Sequence, residues 1–437
     1  MKITVVVREN PTQLPAPSEM VVPVQIFDTF QRASGVASIG RQALDRISRL
    51  GVNVSNIAMD FLTIALAVTA ADTFVKRDDA EDGWAREIAL DLNLNNPQLW
   101  QSKIHQLQEA LSFLSGDIWS FSFSANGTKP PTPRKNDGRT KMLDANTLDS
   151  VCLFSGGLDS IIGAIDLIHN KRRPMLVSHS YKGDQAKQKN LAAKIGWDAQ
   201  HCFAVNAAPR SVQGDTDVSM RTRSLNFLAF AVLAADAVRI INQKSGHIDL
   251  FVPENGFISI NAPLTVRRIG SLSTRTTHPY FIEKIQEIFN SVGIECVIKN
   301  PYQLATKGEM VKHCHNQAKL QRVYEATVSC SHWKRANQQC GRCVPCIIRR
   351  ASLHHNGWQE ATGTYVHDNL KLISDPEKLD DVLALLSAIS RKKNGKSITT
   401  WVSQSGYLSS NKSSFCHVFS SGLEEVEAFL LSQGMKP

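Results

Sequence analysis

Two groups of residues in this 437-residue chain have the types and spacing to do chemistry. The first is Ser155-Gly156-Gly157-Leu158-Asp159-Ser160. Its paired glycines let the backbone turn tightly and offer its N–H groups to an anion, with hydroxyls at both ends and one carboxylate that could hold Mg²⁺ against phosphate oxygens. The second is Cys330, Cys340, Cys343 and Cys346, spaced C-x9-C-x2-C-x2-C, where Gly341 and Pro345 favour turns that let thiolates converge. Four soft ligands at this spacing suit a closed tetrahedral zinc site. A C-x2-C-x2-C run also occurs at iron–sulfur clusters, but using up all four ligands favours zinc. His332 could replace a thiolate and reads better as a bystander.

The elements around the first group must form a strand and a helix. Ser150-Val151-Cys152-Leu153-Phe154 is a short apolar run, and Ile161 to Ile168 continues with helical spacing. A phosphate would then sit at the helix N-terminus. No Gly-Lys-Ser/Thr follows, so the cradle is not of the Walker type, and the third glycine of a dinucleotide fingerprint is missing. From residue 149 onward strands and helices alternate: strands at 175–179, 201–205 and 247–253, helices at 185–195 and 223–241. That order predicts an α/β fold, a parallel sheet wrapped by helices with ligands at the carboxyl ends of the strands.

The flanks divide the chain further. Residues 1–125 read as an α+β module, with a strand-like alternation from Glu87 into Asn93, a helix over 98–114 and a strand over 118–123. Residues 126–147, rich in proline, glycine and basic side chains, read as a linker. The segment 148–358 carries both chemical groups. Residues 359–437 form a C-terminal extension with one clear helix, 376–389, capped by Asp375, while 403–420 is weakly patterned.

An apolar content of 42% is that of a globular protein. The longest apolar stretch, 61–71, falls short of the about 20 residues a membrane span needs, and the N-terminus reads as a strand rather than a leader, so a cytoplasmic location without membrane attachment is expected. A net charge of +9 permits a nucleic-acid or nucleotide partner without requiring one. The basic clusters at 171–173, 267–268, 349–350 and 391–393 are short and lack interleaved aromatics. The other five cysteines, Cys152, Cys202, Cys296, Cys314 and Cys416, are scattered and read as reduced, mostly buried thiols.

The Ser-Gly-Gly-x-Asp-Ser loop resembles the PP-loop of ATP pyrophosphatases, which split ATP between its α and β phosphates. Joined to the cysteine pattern, with Cys340-Gly341-Arg342-Cys343-Val344-Pro345-Cys346-Ile347-Ile348-Arg349-Arg350 similar to a C-terminal signature, the chain resembles the 7-cyano-7-deazaguanine synthase family, QueC. Arg221-Thr222-Arg223 resembles its arginine-led helix facing the nucleotide, and Pro301-Tyr302 with Thr306-Lys307-Gly308-Glu309 resembles an element near the substrate. The likeness covers about 210 residues, half the chain.

This resemblance implies a PP-loop sheet with a zinc-binding C-terminal element, and ATP, Mg²⁺ and Zn²⁺ as cofactors. The implied reaction is AMP-forming activation of a 7-deazaguanine-type carboxylate followed by transfer to an amine. Ser155, Gly156, Gly157, Leu158, Asp159, Ser160 and Ser178 are implied as the nucleotide site. Asp159 would hold Mg²⁺, and Arg221, Arg223 and Lys307 would offset charge on the phosphates. The long front and rear extensions, Pro253-Glu254-Asn255-Gly256 with Asn261-Ala262-Pro263-Leu264, and Asp72, Arg77, Trp84 and Arg86 are similar to longer QueC-like proteins of bacterial anti-phage operons of the Qat type. That likeness implies a protein from the same operon as acceptor. Packing of the front module is the competing account of those four residues, and the better one for Trp84.

Three other readings compete. One is a housekeeping 7-cyano-7-deazaguanine synthase using ammonia. Another is a sulfur-transferring tRNA-modifying pyrophosphatase, which needs a reactive cysteine that no motif supplies once four are metal-bound. The third is a zinc-containing nucleic-acid scaffold, against which the intact Ser155–Ser160 loop argues.

Overall fold

The computed structural model describes residues 2–31, 34–135, 141–180, 184–212, 221–265, 275–333 and 338–436. Arg267 and Arg268 lie outside them. Among these residues ten strands form two five-stranded sheets, both entirely parallel and both flanked by helices, so both sheet-bearing parts are α/β.

The front sheet has the order β3-β2-β1-β4-β5, made of β1 (Lys2–Arg8), β2 (Val21–Ile26), β3 (Ala37–Ile39), β4 (Glu87–Asn93) and β5 (Ile118–Ser124). Val5 pairs with Val22 on one side and Leu90 on the other. Sequence had pointed to a mixed α+β module; the parallel pairing makes it α/β. The misleading signal is physical: β4 and β5 alternate polar and apolar because one face stays half-open, a pattern more typical of antiparallel sheets.

The second sheet has the order β10-β9-β6-β7-β8, made of β6 (Ser150–Leu153), β7 (Pro174–His179), β8 (Cys202–Val205), β9 (Ile248–Phe251) and β10 (Cys296–Lys299). β6 and β7 are buried at every residue, which is why they read as continuous apolar runs. The chain leaves β6 toward β7 and β8, then returns to place β9 on its other side. β6 is therefore the topological switch point, where open α/β sheets hold their ligands.

One hydrophobic core runs through both sheets, from Val5 to Cys296. Its centre is the contact between the helices Asn56–Phe74 and Arg223–Ile241, each long and apolar enough for a membrane span but mostly buried here. Phe61 meets Phe289 edge-on at 5.2 Å, and Asp236 accepts the Ser55 N–H at 2.6 Å. The described part of 126–147 hydrogen-bonds to both sides: Leu143 N donates to Arg49 O and Asp144 N to Gln200 O.

Asp72, Arg77, Arg86 and Asp117 make a buried ion-pair network beside this seam. Arg86 Nη2 lies 2.7 Å from both Asp72 Oδ1 and Asp117 Oδ2, and Arg77 Nη2 lies 2.9 Å from Asp117 Oδ2. Asp72 also accepts the Thr222 hydroxyl at 3.0 Å, and Trp84 carries Arg221 on its ring at 4.3 Å. These residues hold the two sheets together. Replacing Asp117 with asparagine leaves two buried guanidiniums short of a charge, and a loss of about 3 kcal/mol in urea unfolding is expected. A loss under about 1 kcal/mol would show the network to be dispensable.

The C-terminal helices Asp380–Lys393, Ile398–Ser403 and Lys412–Ser432 pack with Val344–His355 in a separate core around Trp401. Asp375 caps a short 3₁₀ turn, Pro376–Leu379, that leads into the first of them. The helix Lys412–Ser432 was hidden in sequence by its serines and by Gly422. That glycine is required, because a Cβ there would lie 2.6 Å from the Phe257 ring.

Candidate functional site

The Ser155–Ser160 loop joins β6 to the helix Leu158–His169, as its residue types demand. Gly156 takes φ +85°, open to glycine without strain, and Gly157 is the helix N-cap with no side chain to satisfy the first-turn N–H groups. A Cβ on Gly157 would sit 3.3 Å from Ser155 Oγ and 3.4 Å from Val328 O. Within the loop, Gly157 N donates to Ser155 Oγ and Gly156 N to Ser160 Oγ, both at 3.2 Å. The hydroxyls thus stand in the cradle where an anion would accept the same N–H groups.

Beside the loop lies a cavity of about 240 Å³. Ser155 and Gly156 line one side, Lys187, Gln188 and Arg223 another, and Val328, Ser329 and Cys330 the far wall. Val328 N donates to Gly156 O at 3.0 Å, and Gln188 Nε2 donates to Ser155 O at 3.1 Å, so both walls brace the loop. Ser329 Oγ is buried with no hydrogen-bond partner in the protein, a polar atom left for a ligand. Arg223 Nε reaches His179 Nδ1 at 3.3 Å, placing its cation at the cavity edge. The lining fits an anion: the cations Lys187 and Arg223 and the orphan Ser329 hydroxyl face one carboxylate, Asp184.

Other expected residues fall elsewhere. Ser178, on β7, donates its hydroxyl to Phe154 O at 2.7 Å and so fixes the strand end rather than facing the cavity. Arg221 stacks on Trp84 at the inter-sheet seam and donates to Ser115 O, where burial and the nearby Arg77 charge lower its pKa to about 10. Asp159 is buried, with Lys307 Nζ 2.8 Å from Oδ1 and Asn255 Nδ2 2.7 Å from Oδ2. Oδ2 is taken by Asn255, while Oδ1 is ion-paired with Lys307 and makes no directed hydrogen bond. Asp159 anchors the loop's helix.

The partner that sequence reasoning passed over is Glu254. Burial would raise the Asp159 carboxyl, but Lys307, a hydrogen bond from Glu254 and the Asn255 amide hold it below the usual carboxylate range. Glu254 goes the other way, pushed well above its ordinary value by burial and by the Asp159 charge. Of the two acids beside Lys307, Glu254 is the one that holds its proton more readily. Pro253-Glu254-Asn255-Gly256, directly after β9 at the switch point, was the available signal. Lys307 reaches this pair from the first turn of the helix Lys307–His313, fixed by a capping box of Thr306 and Glu309.

The cysteines converge as their spacing predicts. Cys340 and Cys346 sulfurs are 3.9 Å apart, Cys343 and Cys330 sulfurs 4.0 Å. A tetrahedral Zn–S₄ centre has an edge of about 3.8 Å from bonds of about 2.3 Å. His332 comes closer than a bystander need, its Nδ1 3.9 Å from Cys340 Sγ, and Cys330, His332, Cys340 and Cys343 alone could hold an ion. Hydrogen bonds from Cys330, Cys343 and Cys346 hold the Cys340 thiol below its ordinary range. The cluster fits zinc.

A glycine-turned loop at the switch point of a parallel sheet, with Cys330 of the cysteine cluster on the cavity wall beside it, marks the candidate site. The family model described as queuosine biosynthesis protein QueC matches residues 276–357, which span Lys307 and all four cysteines. This match supports a QueC-like, PP-loop enzyme related to 7-cyano-7-deazaguanine synthesis. No curated protein matches the chain.

Proposed function

We propose that the chain is an AMP-forming ATP pyrophosphatase that activates a 7-deazaguanine-type carboxylate and transfers its acyl group to an amine. The observation that carries this is one cavity bounded by Ser155 and Gly156 of the loop, Arg223 and the wall from Val328 to Cys330, the last inside the QueC-matched segment. The substrate carboxylate attacks the α-phosphorus and pyrophosphate leaves. The amine then attacks the acyl carbon, AMP leaves, and the nitrogen gives up a proton. Backbone N–H groups of the loop and the Lys187 and Arg223 cations hold the departing phosphates, and Asp159 keeps the loop's helix in place from beneath.

The acceptor in this proposal is an amine on a partner protein, the setting is anti-phage defence, and the location is cytoplasmic. A front sheet sharing the core of the second supports it, since it adds surface without adding to the cavity. The test measures AMP and pyrophosphate with and without 7-carboxy-7-deazaguanine, then intact masses of neighbouring gene products after incubation. AMP formation only with the acid, and a partner gaining the deazaguanine acyl mass, is expected. AMP formation indifferent to the acid overturns the activation step; free nitrile with ammonia and unshifted partner masses overturns the acceptor.

A further inference from the structure

The seam between the sheets carries a second concavity, on the side of the helix Asp184–Lys194 that bears Gln185 and Lys189. Two adjoining cavities of about 890 and 520 Å³ share Arg46, Gln185 and Ala204. The front module contributes Arg41, Arg46 and Arg49, the connecting segment Lys141, and the second sheet's surround Lys189 and Arg210. Six cations face two carboxylates, Asp144 and Asp198, and each of those already accepts a backbone N–H, from Asn146 and Gln200 at 2.9 Å.

Four of the cations have no ion pair among the described residues. Arg41 is paired with Asp28 at 3.3 Å and Arg49 with Asp45 at 2.8 Å, whereas Arg46, Lys141, Lys189 and Arg210 are left to solvent. Arg46 is half-buried, and burial together with the Arg49 charge lowers its pKa, a cost that an anion in the cleft would relieve.

We propose that this cleft binds single-stranded nucleic acid through its phosphodiester backbone. Four of the six cations are arginines, whose planar fork matches phosphate oxygens. With Lys141 and Lys189 they line two adjoining cavities in tandem, which a strand carrying one charge per nucleotide satisfies at every step. A peptide would need consecutive carboxylates to do the same. A duplex would present only one edge of a rigid cylinder to it. The one aromatic on the lining, Phe203, is buried, so bases find no stacking surface and binding is independent of sequence.

Fluorescence anisotropy of the full chain with a labelled 12-nucleotide oligothymidylate, without ATP, tests this separately from the reaction above. Four phosphate contacts on a single strand give a log–log salt slope of about −2.8, so affinity is expected to fall roughly 50-fold between 50 and 200 mM salt. Lys189→Ala with Arg210→Ala, both exposed and safe for folding, should flatten that slope by about 1.4. A slope unchanged in the double variant, no salt-dependent binding, or equal competition by polyglutamate overturns the proposal, the last in favour of an acidic protein.

Discussion

Replacing Lys307 with methionine is expected to remove roughly 3–5 kcal/mol of stability at pH 8, the cost of leaving buried charge without its partner, and clearly less at pH 5. Lys307 is the single cation against two buried carboxyls, Asp159 and Glu254. With Lys307 present, Asp159 ionises below its unfolded value. That contributes stability above the unfolded pKa, near 3.8, and loses it as pH falls through the lower folded value. Without the ammonium, burial dominates and Asp159 joins Glu254 on the raised side. The native state then keeps protons that the unfolded chain has released, so stability falls as pH rises past about 4. Urea midpoints of both proteins at pH 5 and pH 8 decide the matter. An equal loss at the two values would mean that Lys307 contributes packing and not charge, and the account of Glu254 as the proton-holding acid beside Asp159 would fail with it.

How far the sequence reveals this site depends on which forces are local. The turn at Gly156, the helix that follows it and the helix Arg223–Ile241 are set by glycine freedom and apolar periodicity, both readable within a dozen residues. The cysteine knuckle is legible for the same reason: metal chemistry restricts ligand spacing. Glu254 is different. It meets Asp159 only because β9 returns to pair with β6, and the Asn255 contact to Asp159 spans 96 positions. Nothing local to residue 254 distinguishes a proton-holding acid from a solvated one. Arg221 misleads for the converse reason, since its neighbour Arg223 does reach the cavity while Arg221 turns to Trp84 in the front module. Two residues of one motif were parted by the front module, whose parallel pairing its own half-open strands conceal.

The second large effect concerns the knuckle, whose influence reaches beyond its own fold. Cys343 is fully buried, and its sulfur stands 4.0 Å from that of Cys330. Residues Val328 to Cys330 form the far wall of the nucleotide cavity, and Val328 holds Gly156 directly. Cys343→Ser is therefore expected to abolish a metal content of about one zinc per chain, lower the urea midpoint, and raise KM for ATP about tenfold or more, the scale seen when outer support of a site is removed. Loss of stability alone would lower active enzyme without moving KM, so the KM change is the part that reports coupling between knuckle and loop. Elemental analysis fixes the metal, and a brown protein with visible absorption would assign an iron–sulfur centre instead. His332→Ala separates the two donor sets. The short Cys340–Cys346 and Cys330–Cys343 separations predict that this variant keeps its zinc, whereas metal lost with His332 and kept in Cys346→Ser would make the histidine the fourth ligand and leave Cys346 outside the centre.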